Sequence, residues 1–106
     1  MVIRGAVYRI DLGTARGHEQ RGKRLGVVLS PSESALSVVT VAPTSTSAGH
    51  SNHRPAVEVA GRETRVLIDQ IRSIDTDYVV GDPVDYLTRS QMTEIESALA
   101  HYLGVV

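Results

Sequence analysis

The chain contains no cysteine, no phenylalanine and no tryptophan in its 106 residues. Without thiols there is neither a disulfide framework nor a thiolate metal site, so stability must come from packing, as suits a reducing compartment. Besides histidine the only aromatic side chains are Tyr8, Tyr78, Tyr86 and Tyr102, too few for the base-stacking sheet of RNP-type RNA binders. Long apolar runs are also missing. Hydrophobic residues make up 42% of the chain but come in short stretches, well below the 20 or so consecutive residues a spanning helix needs. The opening MVIRGAVYRIDL sets Arg4 and Arg9 into an alternating pattern and has no continuous apolar core of a signal peptide. The expectation is one soluble cytoplasmic domain over residues 1–106, with no membrane partner.

Charge is nearly balanced overall, at a formal −1, but is unevenly distributed. Residues 1–30 hold Arg4, Arg9, Arg16, Arg21, Lys23 and Arg24 against Asp11 and Glu19. Residues 67–106 reverse the sign, with Asp69, Asp75, Asp77, Asp82, Asp85, Glu94 and Glu96 facing only Arg72 and Arg89. Such asymmetry describes either two solvated faces or one basic face for a polyanion.

Periodicity predicts a mainly β chain closed by a helix. Ala6, Tyr8, Ile10 and Leu12 alternate with Arg9 and Asp11, the pattern of a half-buried strand. The glycine-rich, charged stretch 13–23 reads as a loop, and Leu25–Leu29 and Val38–Pro43 read as paired strands. After a second polar loop at 45–55, Ala56–Ala60 and Arg65–Ile71 flank Gly61-Arg62-Glu63-Thr64 as a hairpin. Gly81-Asp82-Pro83 reads as a turn before a short strand at Val84–Leu87. Thr88 and Gln91 have capping-box spacing, Met92, Ile95, Leu99, Tyr102 and Leu103 mark one helical face, and Gly104 is a stop. Five or six short strands and one helix suggest a small curved sheet or barrel with loops at its rim.

The polar residues at that rim narrow the chemistry. No Gly-x-Ser-x-Gly elbow is present, so a serine triad is unsupported. His50 and His53 form H-x-x-H without a nearby third ligand, which argues against a zinc site; no metal or cofactor is expected. Two clusters remain: Gly17-His18-Glu19-Gln20-Arg21-Gly22-Lys23-Arg24 before a buried strand, and Pro43-Thr44-Ser45-Thr46-Ser47 at a strand end. Breaking an RNA phosphodiester without metal needs a base for the 2′-OH, an acid for the 5′-oxygen and cationic donors for the phosphorane. Arg24, held at a strand start, could supply a planar fork to phosphate oxygens or be an ordinary surface arginine. Glu19 among positive neighbours would stay ionised, as an ion-pair partner or a proton acceptor. Thr44 could cap a turn or donate to a phosphate oxygen.

In order and spacing these segments resemble the MazF/PemK toxin family from Arg4 to Leu103. GAVYRIDL is similar to its first strand. GHEQRGKRLGVVLSP resembles its Gly-Ser-Glu-Gln-x-Gly-x-Arg-Pro signature, with Glu19, Gln20, Gly22 and Arg24 in register. VVTVAPTSTS resembles the strand ending in the family's active-site threonine, at Thr44, and RVLIDQIRSID resembles its acid-Gln segment, at Asp69-Gln70. His18 stands where the family has serine and Leu25 where it has proline, which returns a backbone N–H there. The resemblance implies an SH3-like, PemK-like (CcdB-like) curved β-barrel. It also implies a homodimeric, metal-independent mRNA interferase that cuts single-stranded RNA to a 2′,3′-cyclic phosphate and a 5′-hydroxyl, silenced by an antitoxin with an acidic C-terminal tail. Arg24, Thr44 and Glu19 would be catalytic, and His18, Gln20, Arg21, Lys23, Ser45, Thr46 and Gln70 would contact RNA. Because arginine is a poor base, Arg24 is expected to stabilise phosphorane charge, Thr44 to orient a non-bridging oxygen, and Glu19 or His18 to assist proton removal. A CcdB-like gyrase poison and a catalytically silent binding barrel are the competing expectations on the same fold.

Overall fold

A computed structural model describes residues 2–13, 22–32 and 37–105. Seven strands precede one helix among them: β1 (Ala6–Asp11), β2 (Lys23–Val28), β3 (Val38–Ser45), β4 (Ala56–Val59), β5 (Arg62–Val66), β6 (Arg72–Asp75), β7 (Val79–Tyr86) and α1 (Arg89–Leu103). All pairings are antiparallel, in the spatial order β4-β5-β3-β2-β1-β7, with β6 beside the first half of β3.

The sheet buries apolar side chains on both faces, which makes it curl. Tyr8, Ile10, Val28, Val41 and Ile74 pack inside one core. Val7, Val27, Ala42, Val66 and Ile68 pack on the other face, beneath Met92 and Ile95 of the helix. β3 serves both halves: Val38–Val41 pair with β6, whereas Thr44 and Ser45 pair with Val66 and Arg65 of β5. One long strand bent between two neighbours thus converts a flat ladder into a half-barrel, as the twist of a strongly coiled sheet requires.

The helix begins and ends where its caps predict. Thr88 accepts from the Gln91 N–H at 3.1 Å, Gln91 Oε1 accepts from the Thr88 N–H at 2.8 Å, and Gly104 closes the helix at φ +71°. Its apolar stripe is shorter than expected. Met92 and Ile95 are buried and Leu99 packs against the core they join, but Tyr102 and Leu103 stay outside it, 42% and 53% exposed, with Tyr102 edge-on to His53.

Three expectations need correcting. The β4–β5 hairpin turns at Ala60-Gly61, both at positive φ, so Arg62, Glu63 and Thr64 lie within β5. Such a two-residue turn matches the strand twist better than the longer loop expected. The stretch Leu67–Ile71 is a 3-10 turn at Ile68–Gln70, not strand, and β6 follows it as a separate strand. Gly81-Asp82-Pro83 lies inside β7 as a bulge, so β7 begins at Val79. No helix of the described residues is long and apolar enough to cross a membrane.

Candidate active site

The described end of the first cluster, Lys23-Arg24, and the second cluster, from Pro43, lie where β3 parts from β2. Their ladder runs through Val28↔Val41, Val27↔Ala42 and Gly26↔Pro43. One place further on, β3 has turned toward β5, and the Thr44 hydroxyl donates to the Leu25 carbonyl oxygen at 3.1 Å. Thr44 is 5% exposed and Leu25 half-buried, so this is a partly enclosed hydrogen bond beside the backbone of Arg24. A hydroxyl has one proton, and here it is given to Leu25; the oxygen retains capacity to accept. Donation to a phosphate oxygen would require the hydroxyl to release the Leu25 carbonyl.

Gly26 lets these chains come close. A Cβ at Gly26 would stand 2.5 Å from Ile10 Cδ1 and 3.5 Å from the Ala42 carbonyl oxygen. Ile10 therefore lies across the glycine, filling the space a side chain would take.

Register decides which way each polar side chain leaves. Arg24 is opposite Ile10 on β1, and Ile10 is opposite Val79 on β7, so these three share one face. Arg9 is opposite both Leu25 and Val80, and Lys23 is opposite Asp11, on the other face. Since Gly26 is opposite Pro43, alternation puts Thr44 on the Leu25 face and Arg24 on the reverse. Ladder geometry alone therefore does not aim Arg24 and Thr44 at one point. It brings together their backbones, at an open strand end where side chains from the two faces can approach only past the last rung.

The PemK-like, MazF-like toxin family of type II toxin-antitoxin systems matches residues 3–103. The chain belongs to this family. A Mycobacterium tuberculosis protein (strain ATCC 25618 / H37Rv) named "Putative toxin Rv3098A/RVBD_3098A" is 62% identical over 106 residues, covering 99% of this chain and 100% of its own length. Among solved structures, MazF (Form-I) from Deinococcus radiodurans superposes with a TM-score of 0.85 at 23% identity, covering 97% of this chain and 96% of its own. An endoribonuclease in complex with its cognate antitoxin, from a mycobacterial species, gives a TM-score of 0.82 at 24% identity, covering 100% and 98%. These likenesses confirm the fold expected from the sequence, a mainly β curved barrel-like sheet with a C-terminal helix, and the sheet is curled into a half-barrel.

In this PemK/MazF family member, His18, Glu19, Gln20 and Arg21 lie outside the described residues. Lys23 is exposed on β2, and Arg24 is half-buried. Ser45 is 7% exposed and turns inward on its own loop, accepting from the Ser47 N–H at 3.2 Å with the two hydroxyls 3.3 Å apart. Thr46 is exposed at the start of that loop, and Gln70, half-buried, ends the 3-10 turn. Among the described residues no group of three His, Cys, Asp or Glu side chains has a metal-holding arrangement.

Two features escaped the sequence reading. Arg54 binds Asp69 through both guanidinium branches, Nε to Oδ1 at 2.9 Å and Nη2 to Oδ2 at 2.8 Å, while Arg65 Nη1 donates to the Arg54 carbonyl at 3.1 Å. The Arg54 guanidinium holds the Asp69 carboxyl below the usual aspartate range, opposed by burial, and Asp69 in turn raises Arg54. This fork fastens the loop after Thr44 to the turn that carries Gln70. An aspartate inside the apolar run VLIDQI was the available signal, since a buried-side carboxylate needs a partner. The second feature is a slot of about 520 Å³ lined by Arg9, Ile10, Lys23, Arg24, Leu25 and Val80. Val80 had no sequence signal and Arg9 only its place in the basic N-terminal third, because the register of β1 with β7 is what makes them neighbours.

Proposed function

We propose that this chain is a metal-independent endoribonuclease, the toxin of a toxin-antitoxin pair, which cuts single-stranded RNA at short sequences. The observation that carries the reading is the seat of the Thr44 hydroxyl on the carbonyl of Leu25, next in the chain to Arg24. That junction is flanked by Arg9 and Lys23, which line the slot together with Arg24. A cationic, partly apolar recess beside a buried hydroxyl suits a phosphodiester with its attached nucleosides.

The reaction is an internal transesterification. The 2′-oxygen attacks phosphorus as its proton is removed, the P–O5′ bond breaks, and the leaving oxygen takes up a proton, giving a 2′,3′-cyclic phosphate and a 5′-hydroxyl. Arg24 stabilises the charge of the phosphorane, reaching the phosphate at the strand end where β3 has turned away. Thr44 accepts from, or after releasing Leu25 donates to, the substrate, and Glu19 or His18 assists proton removal. His18, Gln20, Arg21, Lys23, Ser45, Thr46 and Gln70 contact the strand. The active form is a cytoplasmic homodimer, and the antitoxin's acidic C-terminal tail competes with RNA for the basic face. The mycobacterial endoribonuclease with this fold, held in complex with its cognate antitoxin, supports that pairing.

The test is cleavage of a long single-stranded RNA in EDTA, with mapping of 5′-hydroxyl ends, by the wild type and Arg24→Ala. Sharp cuts by the wild type and a rate about 100- to 1,000-fold lower in the variant are expected, the usual effect of losing one charge-stabilising donor. Near-normal cutting by Arg24→Ala refutes the assignment. Cutting that needs an added divalent cation refutes the metal-free mechanism.

A further inference from the structure

The slot beside Arg24 has chemistry that phosphate binding alone does not use. Two of its cations, Arg9 and Lys23, share a face with apolar Leu25 and Val80, and Arg24 adds to the lining from the reverse side of β2. Val80 is 51% exposed, and Leu25 and Val80 flank Arg9 as its register partners on two different strands. A row Val80–Arg9–Leu25 thus crosses three strands on one face, and continuing it one place past the β2–β3 ladder reaches Thr44. The row points from the slot toward the buried hydroxyl.

A bulge in β7 lies directly beside this row. Between the pairs Val7↔Asp85 and Arg9↔Val80, β1 advances two residues while β7 advances five. Gly81, at φ +73°, begins the looped-out segment, so Val80 stands at its foot. Bulges of this kind re-aim side chains and interrupt pairing next to functional sites.

Resting on the nuclease reading above, we propose that this slot is a base subsite: it takes one unstacked nucleobase of the RNA strand, next to the phosphate that is cut. The base lies on Leu25 and Val80, the planar guanidinium of Arg9 covers its face, and Lys23 holds the following phosphate. A guanidinium plane stacks on unpaired bases as aromatic rings do, and aromatic residues are scarce here, so Arg9 supplies the flat platform. Charge selects a polyanion. The exposed apolar surface selects one that carries flat rings, favouring a nucleotide over an acidic peptide.

The experiment uses a short oligoribonucleotide containing the cut sequence mapped for the wild type, and a set in which one position at a time is abasic. For the wild type, removing the base at one position beside the cut should lower kcat/KM by roughly 5- to 100-fold, the usual effect of one lost base stack. In Val80→Asp and in Arg9→Gln, both at exposed positions, the intact and abasic strands should be cut at nearly equal rates. Circular dichroism melts of both variants confirm folding. Cleavage that still requires Arg24, with the same base dependence in both variants as in the wild type, overturns the subsite and leaves the nuclease standing. Absence of cleavage by the wild type overturns both. If a poly-glutamate peptide inhibits the wild type but not the variants while base dependence is unchanged, the slot is a peptide site and the proposal falls.

Discussion

Replacing Thr44 by valine keeps its shape and removes one hydroxyl, which makes it an informative perturbation of the β2–β3 junction. In the wild type that hydroxyl donates to the Leu25 carbonyl at 3.1 Å, with Thr44 5% exposed. A neutral hydrogen bond contributes about 0.5–1.5 kcal/mol net, and an acceptor deprived of its donor costs about 1–3 kcal/mol where water does not reach it and less at a half-buried residue such as Leu25. The extra methyl of valine, buried, returns up to about 0.8 kcal/mol. Thr44→Val should therefore destabilise the fold by about 1–2 kcal/mol. With a urea slope of about 1–3 kcal/mol/M for a chain of this size, the unfolding midpoint should fall by about 0.3–2 M at unchanged slope. Thr44→Ser keeps the donor and loses a methyl group, so it should cost about 1 kcal/mol yet retain cleavage within about tenfold of wild type. Thr44→Val should lose activity by about 100-fold or more. Urea titration followed by circular dichroism, together with cleavage in EDTA, reads both quantities. A valine variant that unfolds at the wild-type midpoint and cuts at the wild-type rate would refute the role given to this hydroxyl in fold and chemistry alike.

Gly26→Ala places a Cβ 2.5 Å from Ile10 Cδ1, and Ile10 is 1% exposed, so the core must shift. Overpacking of this size costs about 1–3 kcal/mol, and adding Ile10→Val, which removes the clashing methyl, should recover part of the loss in a double-mutant cycle. Simple additivity of the two changes would show that the contact is not the cause. Asp69 has its carboxyl held low by Arg54, so the stability it contributes is present above the ordinary aspartate value of 3.8 and is lost as pH falls through the depressed native value. Asp69→Asn should cost about 1–3 kcal/mol at neutral pH and progressively less in acid, measured as the difference in urea midpoint at each pH; a pH-independent difference would refute the ion pair as its source. Thr88→Ala removes the capping hydroxyl that the Gln91 N–H donates to and should lower stability by about 1 kcal/mol, while Thr88→Ser should not; equal midpoints for all three proteins would refute it.

Much of the architecture was legible because its signals are local. Alternation in AVYRIDL, the apolar runs around Val27 and Val41, and the Thr88–Gln91 box each report on a few consecutive residues, and each element formed where expected. The misread segments were those in which distant pairing overrode local cues. Pro83 looked like a break but sits in a bulge beside β1, and Arg62-Glu63-Thr64 looked like a turn but pairs with β4. Tyr102 continued the helical stripe in sequence, yet it stays 42% exposed, edge-on to His53 rather than in the core.

By itself the sequence determined the order of elements, the caps of the helix, and the family to which Glu19, Arg24 and Thr44 belong as a set. The tertiary structure decided parity between strands. A period of two fixes which residues of one strand share a face, but only the pairings Ile10↔Arg24 and Gly26↔Pro43 fix which residues of different strands do so. Through that parity Thr44 came to share a face with Leu25, Arg9 and Val80, and Arg24 came to leave on the other side. A shift of one residue would reverse both outcomes without altering a letter of the sequence, and it is prevented by the two cores that the curled sheet must fill at once.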